Sequence, residues 1–312
     1  MDQSDDYEII TPMIRISKTK LSGSLLRYMF LQLILSCTDK QKEVIRVSDY
    51  CLTEEIKLVL YELGFTPANG HWVKLNIDFI GKVNELITYL KTSKIIPNAL
   101  QKTLYDTLHS SNLERYSLFD IERRIWPGKI IDSRIPIYTV PIKPRWALEL
   151  FDENLAGQTF FSTKEEIILL NENVYYRSSR NSRGISSPSR ILWYVSDGKG
   201  YQKTKHIRAC SLLDEVIVEP AKQLFKKFER LGIYEWNNIE GLTGKDPQKP
   251  IMAIKFSNTE LFPNPISLTE YRRILLEIEG KNPVLQSPQQ ISSQTFQSIY
   301  KIGKNIPARS SK

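Results

Sequence analysis

Residues 12–78 alternate between strand patterns and helix patterns, and this order constrains the fold more than any other feature of the chain. A short strand pattern at Met13–Ser17 leads through a polar turn to an apolar helix pattern at Ser24–Ser36, and a second strand pattern follows at Val44–Ser48. Apolar side chains recur every three or four residues in the helix and every second residue in the later strand. The pattern predicts an α/β unit of about 65 residues.

The second half of this unit carries signals for where its elements begin and end. Thr53 precedes Glu54 and Glu55 and is the predicted N-cap of a helix, because acids in a first turn interact favourably with the helix dipole. Gly64 is the predicted C-cap. Asn69-Gly70 predicts a hairpin turn that leads into a strand at Trp72–Ile77. The predicted order is therefore β-α-β-α-β-β.

That order, with the phrase EEIKLVLYELGF followed by HWVKL, resembles the C-terminal half of the GNAT acetyltransferase fold over residues 12–78. In that family a turn of the type R/Q-x-x-G-x-G/A at a helix N-terminus cradles the acetyl-CoA pyrophosphate with backbone N–H groups. The matching segment here runs from Lys20 to Leu25, with one glycine in place and Leu25 at the final small position. The resemblance implies a cofactor site formed by Lys20, Ser22, Gly23 and Ser24.

The family's first half has no counterpart in front of residue 12, so the resemblance implies an incomplete sheet that a second chain could complete. Residues 1–11 are expected to be a flexible leader. Residues 79–135 carry three helix patterns, at Gly81–Lys91, Pro97–His109 and Leu113–Ile125, and are expected to form a helical connector.

From Pro136 onwards the patterns change to short strands around two helices, which predicts a small, partly open β-barrel. The opening VPIKPRWALELFD resembles the start of ASCH domains, which belong to the PUA-like superfamily. Three later segments resemble strands of that family, namely RILWYVS, HIRACSLLDEVIV and IMAIKF. A fourth segment, LFPNPISL, resembles its closing turn. The expected fold class is α+β: a partial GNAT-like unit, a helical connector, and an ASCH-type PUA-like barrel at 136–279. The Gln/Ser/Pro-rich tail, 280–312, is expected to be disordered, with at most a short helix.

ASCH domains usually follow their first helix with G-x-K-x-x-E-x-R, and some relatives are amidohydrolases that use a Lys, a Thr and a Glu. This chain has Gly157 and Thr159 but no lysine two residues after Gly157. Arg177 is the candidate for the arginine of the motif. The resemblance therefore supplies no catalytic set, and the catalytic residues are unknown.

The stretch from Arg177 to Arg208 concentrates positive charge. It holds eight Lys or Arg residues and one acid, Asp197, which gives a net +7 in a chain whose formal net charge is +8. An apolar strand pattern at Ile191–Val195 lies between its two basic segments. Basic segments on either side of a core strand predict a groove for a polyanion, although a basic, solubilising loop has the same composition.

Aromatic residues are interleaved with these cations, among them Trp193, Tyr194 and Tyr201. Unpaired bases stack on aromatic rings while cations hold phosphates, and Trp193 or Tyr194 is expected to face outwards because neighbours on a strand alternate. The predicted nucleic-acid-binding residues are Arg177, Arg180, Arg183, Arg190, Lys199, Tyr201, Lys203, Lys205 and Arg208.

Composition excludes several other classes of protein. Three widely spaced cysteines argue against a disulfide framework or a zinc site, and three histidines argue against a His-rich metal centre. The acidic N-terminus lacks the apolar stretch of a secretory signal, and no apolar run approaches the roughly 20 residues of a membrane span. A cytoplasmic protein without a metal is expected.

Three functions remain open at this point. The first is a nucleic-acid-binding PUA-like module, with RNA as the expected partner and the GNAT-like unit as an accessory. The second is an N-acetyltransferase that uses acetyl-CoA, with the barrel selecting a nucleic-acid or protein substrate. The third is a hydrolase of modified nucleosides. The first is preferred because charge, aromatic content and fold resemblance agree on it.

Overall fold

The structure is a computed structural model that describes residues 8–11, 22–109, 114–152, 155, 172–181, 184–231 and 233–306. The chain divides into two compact units, Met1–Ile135 and Pro136–Lys312. Each unit has a sheet and a hydrophobic core of its own.

The first unit contains a four-stranded sheet with two helices connecting its strands. In chain order these elements are β1 (Glu8–Thr11), α1 (Ser22–Asp39), β2 (Val44–Ser48), α2 (Glu54–Glu62), β3 (Thr66–Ala68) and β4 (His71–Leu75). The strand order in the sheet is β1-β2-β4-β3; β1 and β2 are parallel, and the other pairs are antiparallel. From α1 onwards the predicted α-β-α-β-β order is confirmed, and the described strand in front of it is β1 at Glu8–Thr11.

The ends of these elements lie where local signals in the sequence predict them. The Thr53 side chain accepts a hydrogen bond from the Ile56 N–H, so the predicted N-cap is confirmed. Gly64 follows α2 with a φ of +84°, and a Cβ there would lie 2.7 Å from the Arg123 carbonyl oxygen. Only glycine tolerates both conditions. Asn69 and Gly70 have φ values of 50° and 76°, which allow the tight turn of the predicted hairpin.

A buried lysine joins the sheet of this unit to its later helices. The connector contains β5 (Ile80–Gly81), α3 (Val83–Thr92), α4 (Asn98–Leu108), α5 (Arg115–Arg124) and β6 (Lys129–Ile130). Lys74 on β4 has no exposed surface, and its Nζ lies 3.2 Å from the Arg123 carbonyl oxygen and 2.9 Å from that of Arg124. The lysine therefore caps the C-terminal end of α5, where carbonyl groups lack helical partners.

The second unit is built on a six-stranded sheet. Its elements are β7 (Ile137–Ile142), α6 (Pro144–Leu150), β8 (Glu172–Ser178), β9 (Ser189–Val195), β10 (His206–Pro220), α7 (Ala221–Phe228), α8 (Trp236–Thr243), β11 (Pro250–Ser267), α9 (Leu268–Glu279), β12 (Gln289–Ile291) and α10 (Ser293–Gly303). The strand order is β12-β7-β9-β10-β11-β8, in which only β7 and β9 pair in parallel.

Helices cover both faces of this sheet. On one face, α6, α7 and α8 contribute to a core that includes Trp193 and Phe256, whose ring centroids are 4.8 Å apart. On the other face, the Tyr271 hydroxyl of α9 donates to Thr139 Oγ1 at 3.0 Å, and the Tyr300 hydroxyl of α10 donates to Glu260 Oε2 at 2.7 Å. Strands covered in this way are buried on both sides, which explains why β9 is a nearly continuous apolar run.

The sheet curls so that its edges approach each other. β8 and β9 are separated by two strands in the sheet order, yet the rings of Tyr175 and Trp193 meet at 5.8 Å. Arg177 of β8 donates from Nη2 to the Gln286 carbonyl oxygen, 3.2 Å away, in the segment before β12. The curvature fits the expected partly open barrel.

Several boundaries differ from the sequence predictions. The segment HIRACSLLDEVIV, expected to contribute short strands, lies within one long strand, β10, whose pairing with β11 shifts in register at three places. The turn expected at Leu261-Phe262-Pro263 lies inside β11. Bulges of this kind bend a strand without ending it, so turn-forming residues appear within a continuous ladder.

The ends of the chain also correct the predictions. The tail after residue 279 was expected to be disordered, but it contains β12 and α10, with Phe296 and Tyr300 buried. Residues 8–11 of the expected leader form β1. The strand predicted at Met13–Ser17 lies outside the described residues.

Candidate nucleic-acid interface

Residues 196–205, which join β9 to β10, are named here the basic loop. Its three lysines, Lys199, Lys203 and Lys205, are all exposed. Lys203 and Lys205 have φ values of 48° and 59°, in the left-handed region that few residues other than glycine adopt. Such a backbone has to be held by contacts elsewhere in the unit.

A buried ion pair between Arg208 and Asp152 anchors the basic loop to the rest of the second unit. The Arg208 guanidinium donates to the Asp152 carboxylate from Nε and from Nη2, the latter at 3.2 Å, and both side chains are buried. The Arg208 Nη1 also donates to the Lys203 carbonyl oxygen at 3.4 Å. Arg208 thus fixes the strained backbone at Lys203 to the end of α6, where Asp152 lies.

Backbone contacts complete the anchoring. The Lys205 N–H donates to the Val195 carbonyl oxygen at 2.8 Å, and the Gln202 N–H donates to that of Leu155 at 3.3 Å. A Cβ at Gly198 would lie 2.7 Å from Pro144 Cγ, so the loop touches the start of α6 where only glycine fits. The lysine side chains therefore project from a fixed backbone.

Asp197 is the one acid of the basic loop, and it pairs with Lys205. Asp197 Oδ2 lies 2.8 Å from Lys205 Nζ. The hydrogen bond to Lys205 lowers the pKa of Asp197, and the same bond raises the pKa of Lys205. Both groups therefore stay charged at neutral pH, and the net cationic contribution of the loop comes from Lys199 and Lys203.

Two of the predicted contact residues are buried, which corrects their assignment to a binding surface. Arg190 has no exposed surface, and its guanidinium lies 5.2 Å from the centre of the Phe296 ring of α10. Arg208 is only 5% exposed, and it supports the basic loop through its hydrogen bond to the Lys203 carbonyl oxygen. Local sequence does not reveal this burial, because partners such as Phe296 and Asp152 are distant along the chain.

The predicted residues also do not form one groove. Arg177 of β8 is paired with Met252 of β11, which is paired with Val218 of β10. Val218 and His206, where β10 leaves the basic loop, are separated by about 40 Å of strand path at roughly 3.3 Å per residue. Arg177 and the exposed Arg180 are therefore at the opposite end of β10 from the three lysines. Arg183 lies outside the described residues.

Burial affects Arg177 as well. Its side chain is half-buried, burial lowers its pKa, and its Nε and Nη1 have no hydrogen-bond partner among the described residues.

The aromatic residues expected to stack on bases belong to the core. Trp193 is fully buried and donates from Nε1 to Ser211 Oγ at 2.8 Å, and Tyr194 is only 3% exposed. The prediction that one of this pair faces outwards is wrong, because both faces of β9 are covered. Tyr175 and Tyr176 are also buried, and Tyr201 is half-buried against the core.

Exposed cations other than the predicted contact residues lie at both ends of the sheet, and among Arg272, Lys222 and Lys226 only the first is near the basic loop. Arg272 of α9 is exposed near the basic loop, and Lys222 and Lys226 of α7 are exposed beyond Pro220, at the far end of β10. Arg272 lies more than 60 residues after the basic stretch. Nothing in the local pattern of these three cations indicates where they lie on the sheet.

The predicted acetyl-CoA residues are described only in part. Lys20 and the side chains of Ser22 and Ser24 lie outside the described residues. Gly23 is in the first turn of α1, and a Cβ there would lie 3.2 Å from Arg27 Nη1 and 3.3 Å from Glu55 Oε1. Arg27 is paired with Glu62 at 2.5 Å. Because a carboxylate borders Gly23 and the nearby guanidinium is already paired, the described part of this turn does not fit a pyrophosphate.

The described residues show no arrangement for metal binding. No three His, Cys, Asp or Glu side chains converge as metal ligands in that part of the chain. Cys210 is buried on β10, as expected of a core cysteine, and His206 Nδ1 lies 2.6 Å from the Thr204 carbonyl oxygen.

None of the described helices is long and apolar enough to cross a bilayer.

No family model matches the chain, and no curated protein matches it. Solved structures similar to it include the ASCH protein of Zymomonas mobilis, at 13% identity over 53% of this chain and 94% of that one, with a TM-score of 0.37. A point variant of the same protein matches at 12% identity over 54% and 98%, with a TM-score of 0.39. The N-terminal domain of Staphylothermus marinus McrB matches at 15% identity over 54% and 94%, with a TM-score of 0.35.

ASCH domains are thus among the structures similar to about half of this chain, and ASCH is the family that its sequence pattern resembles. Since these TM-scores lie below 0.5, the likeness supports no argument about function. These structures do not bear on the GNAT-like resemblance, which stays a prediction.

Proposed function

We propose that the second unit is a nucleic-acid-binding module, with RNA as the expected partner, and that the basic loop is its phosphate-binding surface. The first unit, with its GNAT-like order of elements, is proposed as an accessory domain.

The exposed lysines on an anchored loop carry this proposal. Lys199 and Lys203 have no ion-pair partner in the described part of the chain, while the backbone that carries them is fixed by Arg208 and Asp152. Lysines on a fixed backbone lose less conformational freedom on binding, and each phosphate that they neutralise releases counterions into solution.

The test is a salt titration of binding to an RNA oligonucleotide, followed by fluorescence anisotropy. We expect the double substitution Lys199→Ala, Lys203→Ala to weaken binding and to flatten the slope of log affinity against log salt by up to about two units. Lys205→Ala should also weaken binding, because it leaves the Asp197 carboxylate unpaired beside the phosphate-binding surface.

The matched control is Lys222→Ala, Lys226→Ala, which removes the same charge from α7 at the other end of β10. It should leave the slope nearly unchanged. Equal effects of the two double substitutions would show that net charge rather than the basic loop governs binding. Salt-independent binding, or no binding, would refute the proposal.

Acetyl transfer is the alternative that the GNAT-like resemblance implies. It requires acetyl-CoA to bind near Gly23, and the described residues around Gly23 do not favour a pyrophosphate. Calorimetric titration of the full chain with acetyl-CoA tests it directly; the absence of heat would remove this alternative.

A further inference from the structure

We propose that α9 extends the basic loop into one phosphate-binding surface, with Arg272 as a backbone contact, and that this surface binds duplex nucleic acid without stacking its bases. The inference rests on the proposed function and specifies its partner.

The position of Arg272 follows from the junction between the basic loop and α9. The N–H of Leu268, the first residue of α9, donates to the Lys205 carbonyl oxygen at 2.8 Å. Arg272 is one turn further along and lies on the same face as Leu268, because residues four apart are neighbours on a helix. Its side chain is exposed, whereas the adjacent Tyr271 is fully buried.

Lys205 and Arg272 both act electrostatically on the phenol of Tyr194. Burial raises the pKa of Tyr194, and the nearby charges of Lys205 and Arg272 oppose that increase. Lys205 and Arg272 are therefore close enough to Tyr194 to act on the same group. Arg272 therefore adds a cation next to the Lys205–Asp197 pair of the basic loop.

The neighbouring arginine provides a contrast within the same helix. Arg273 is held by two acids of its own helix, at 2.7 Å from Glu270 Oε1 and 2.7 Å from Glu277 Oε1. Those hydrogen bonds raise the pKa of Arg273, whose donors are engaged. Arg272 has no ion pair in the described part of the chain, so its guanidinium is available to a phosphate.

The burial of the aromatic residues determines which form of nucleic acid fits. Proteins that bind single strands stack unpaired bases on aromatic rings, for roughly 1–3 kcal/mol per base. Here Trp193 and Tyr194 are buried and Tyr201 is half-buried against the core, whereas Lys199, Lys203 and Arg272 are exposed. Contacts with phosphates alone favour the form with the higher charge density, which is the duplex.

The experiment compares Arg272→Ala with Arg273→Ala in the full chain, using an unmodified RNA duplex and a single strand of equal length across a series of salt concentrations. We expect Arg272→Ala to flatten the log–log salt slope for the duplex by about one unit and to weaken binding several-fold at low salt. Arg273→Ala should stay within about twofold of the unaltered chain, and Arg272→Lys should restore the slope because it keeps the charge.

Each remaining outcome is decisive. Equal effects of the two arginine substitutions would remove Arg272 from the surface, and tighter binding of the single strand would overturn the preference for a duplex. If the unaltered chain binds neither form, the proposed function fails together with this inference. If the unaltered chain binds and only the Arg272 comparison fails, the proposed function stands.

Discussion

At the scale of single residues, Lys74 links pH to the stability of the first unit. Burial, followed by the charges of Lys129 and Arg123, lowers the pKa of Lys74 from 10.5 to about 7. In the unfolded chain Lys74 keeps the higher value, so between about pH 7 and 10.5 the unfolded state binds more protons than the folded state. The contribution of Lys74 to the free energy of unfolding therefore rises with pH across that window.

The Lys74→Met variant tests this linkage. The free energy of unfolding of the unaltered chain minus that of the variant should rise by up to about 1.4 kcal/mol per pH unit above pH 7. Urea denaturation at several pH values measures both free energies. The subtraction cancels the other titrating groups, and a difference that does not change with pH would contradict the assigned pKa.

Arg208 and Asp152 form the buried ion pair beneath the basic loop. Asp152→Ala would leave the Arg208 guanidinium charged and buried without its partner, and we expect a loss of about 3–5 kcal/mol in the free energy of unfolding of the second unit. Asp120→Ala is the control, because it breaks a more exposed pair with Arg124 and should cost at most about 1 kcal/mol. Thermal denaturation followed by circular dichroism distinguishes the two costs.

At the scale of elements, α10 shows why composition misleads. Its neighbourhood is rich in Gln and Ser, yet Phe296, Ile299 and Tyr300 recur at helical spacing and are buried against β11 and α9. Ser292 caps the helix by accepting a hydrogen bond from the Thr295 N–H at 3.1 Å. The polar residues between the apolar ones lower the average hydrophobicity without removing the buried stripe.

The packing of α10 provides a test of the finding that the tail after residue 279 is ordered. Phe296→Ala removes a fully buried ring that lies against Arg190, and we expect it to cost about 3–5 kcal/mol in the free energy of unfolding. Gln294→Ala, at an exposed position of the same helix, should change that free energy by less than about 0.5 kcal/mol. Urea denaturation of both variants measures the contrast; equal stabilities would mean that the tail is not packed.

At the scale of the whole molecule, the six-stranded sheet separates charges that are close together in the sequence. Arg180 and Lys199 are 19 residues apart in the chain, but they lie at opposite ends of the sheet. Conversely, Lys205 and Arg272 are far apart in the chain and are brought together where β11 leads into α9. A count of charge along the sequence therefore does not describe how the cations are arranged on the surface.

Sequence alone was sufficient where the physical cause is local. The Thr53 cap, the Asn69-Gly70 hairpin and the order of elements from α1 to β4 depend on backbone preferences and periodicity within a few residues. The strand at β9 was also predicted, because a strand covered on both faces is apolar throughout. The position of the basic loop between two strands followed from the same reasoning.

Only the tertiary structure decided which cations reach solvent. Arg190 and Arg208 are as basic as Lys199 in the sequence, but Phe296 and Asp152, distant along the chain, hold them inside the unit. Long-range pairing of β10 with β11 and β9 fixes those partners, and no local pattern encodes it. Burial is a property of what packs against a residue, so the exposed cations could be identified only once the sheet and its covering helices were known.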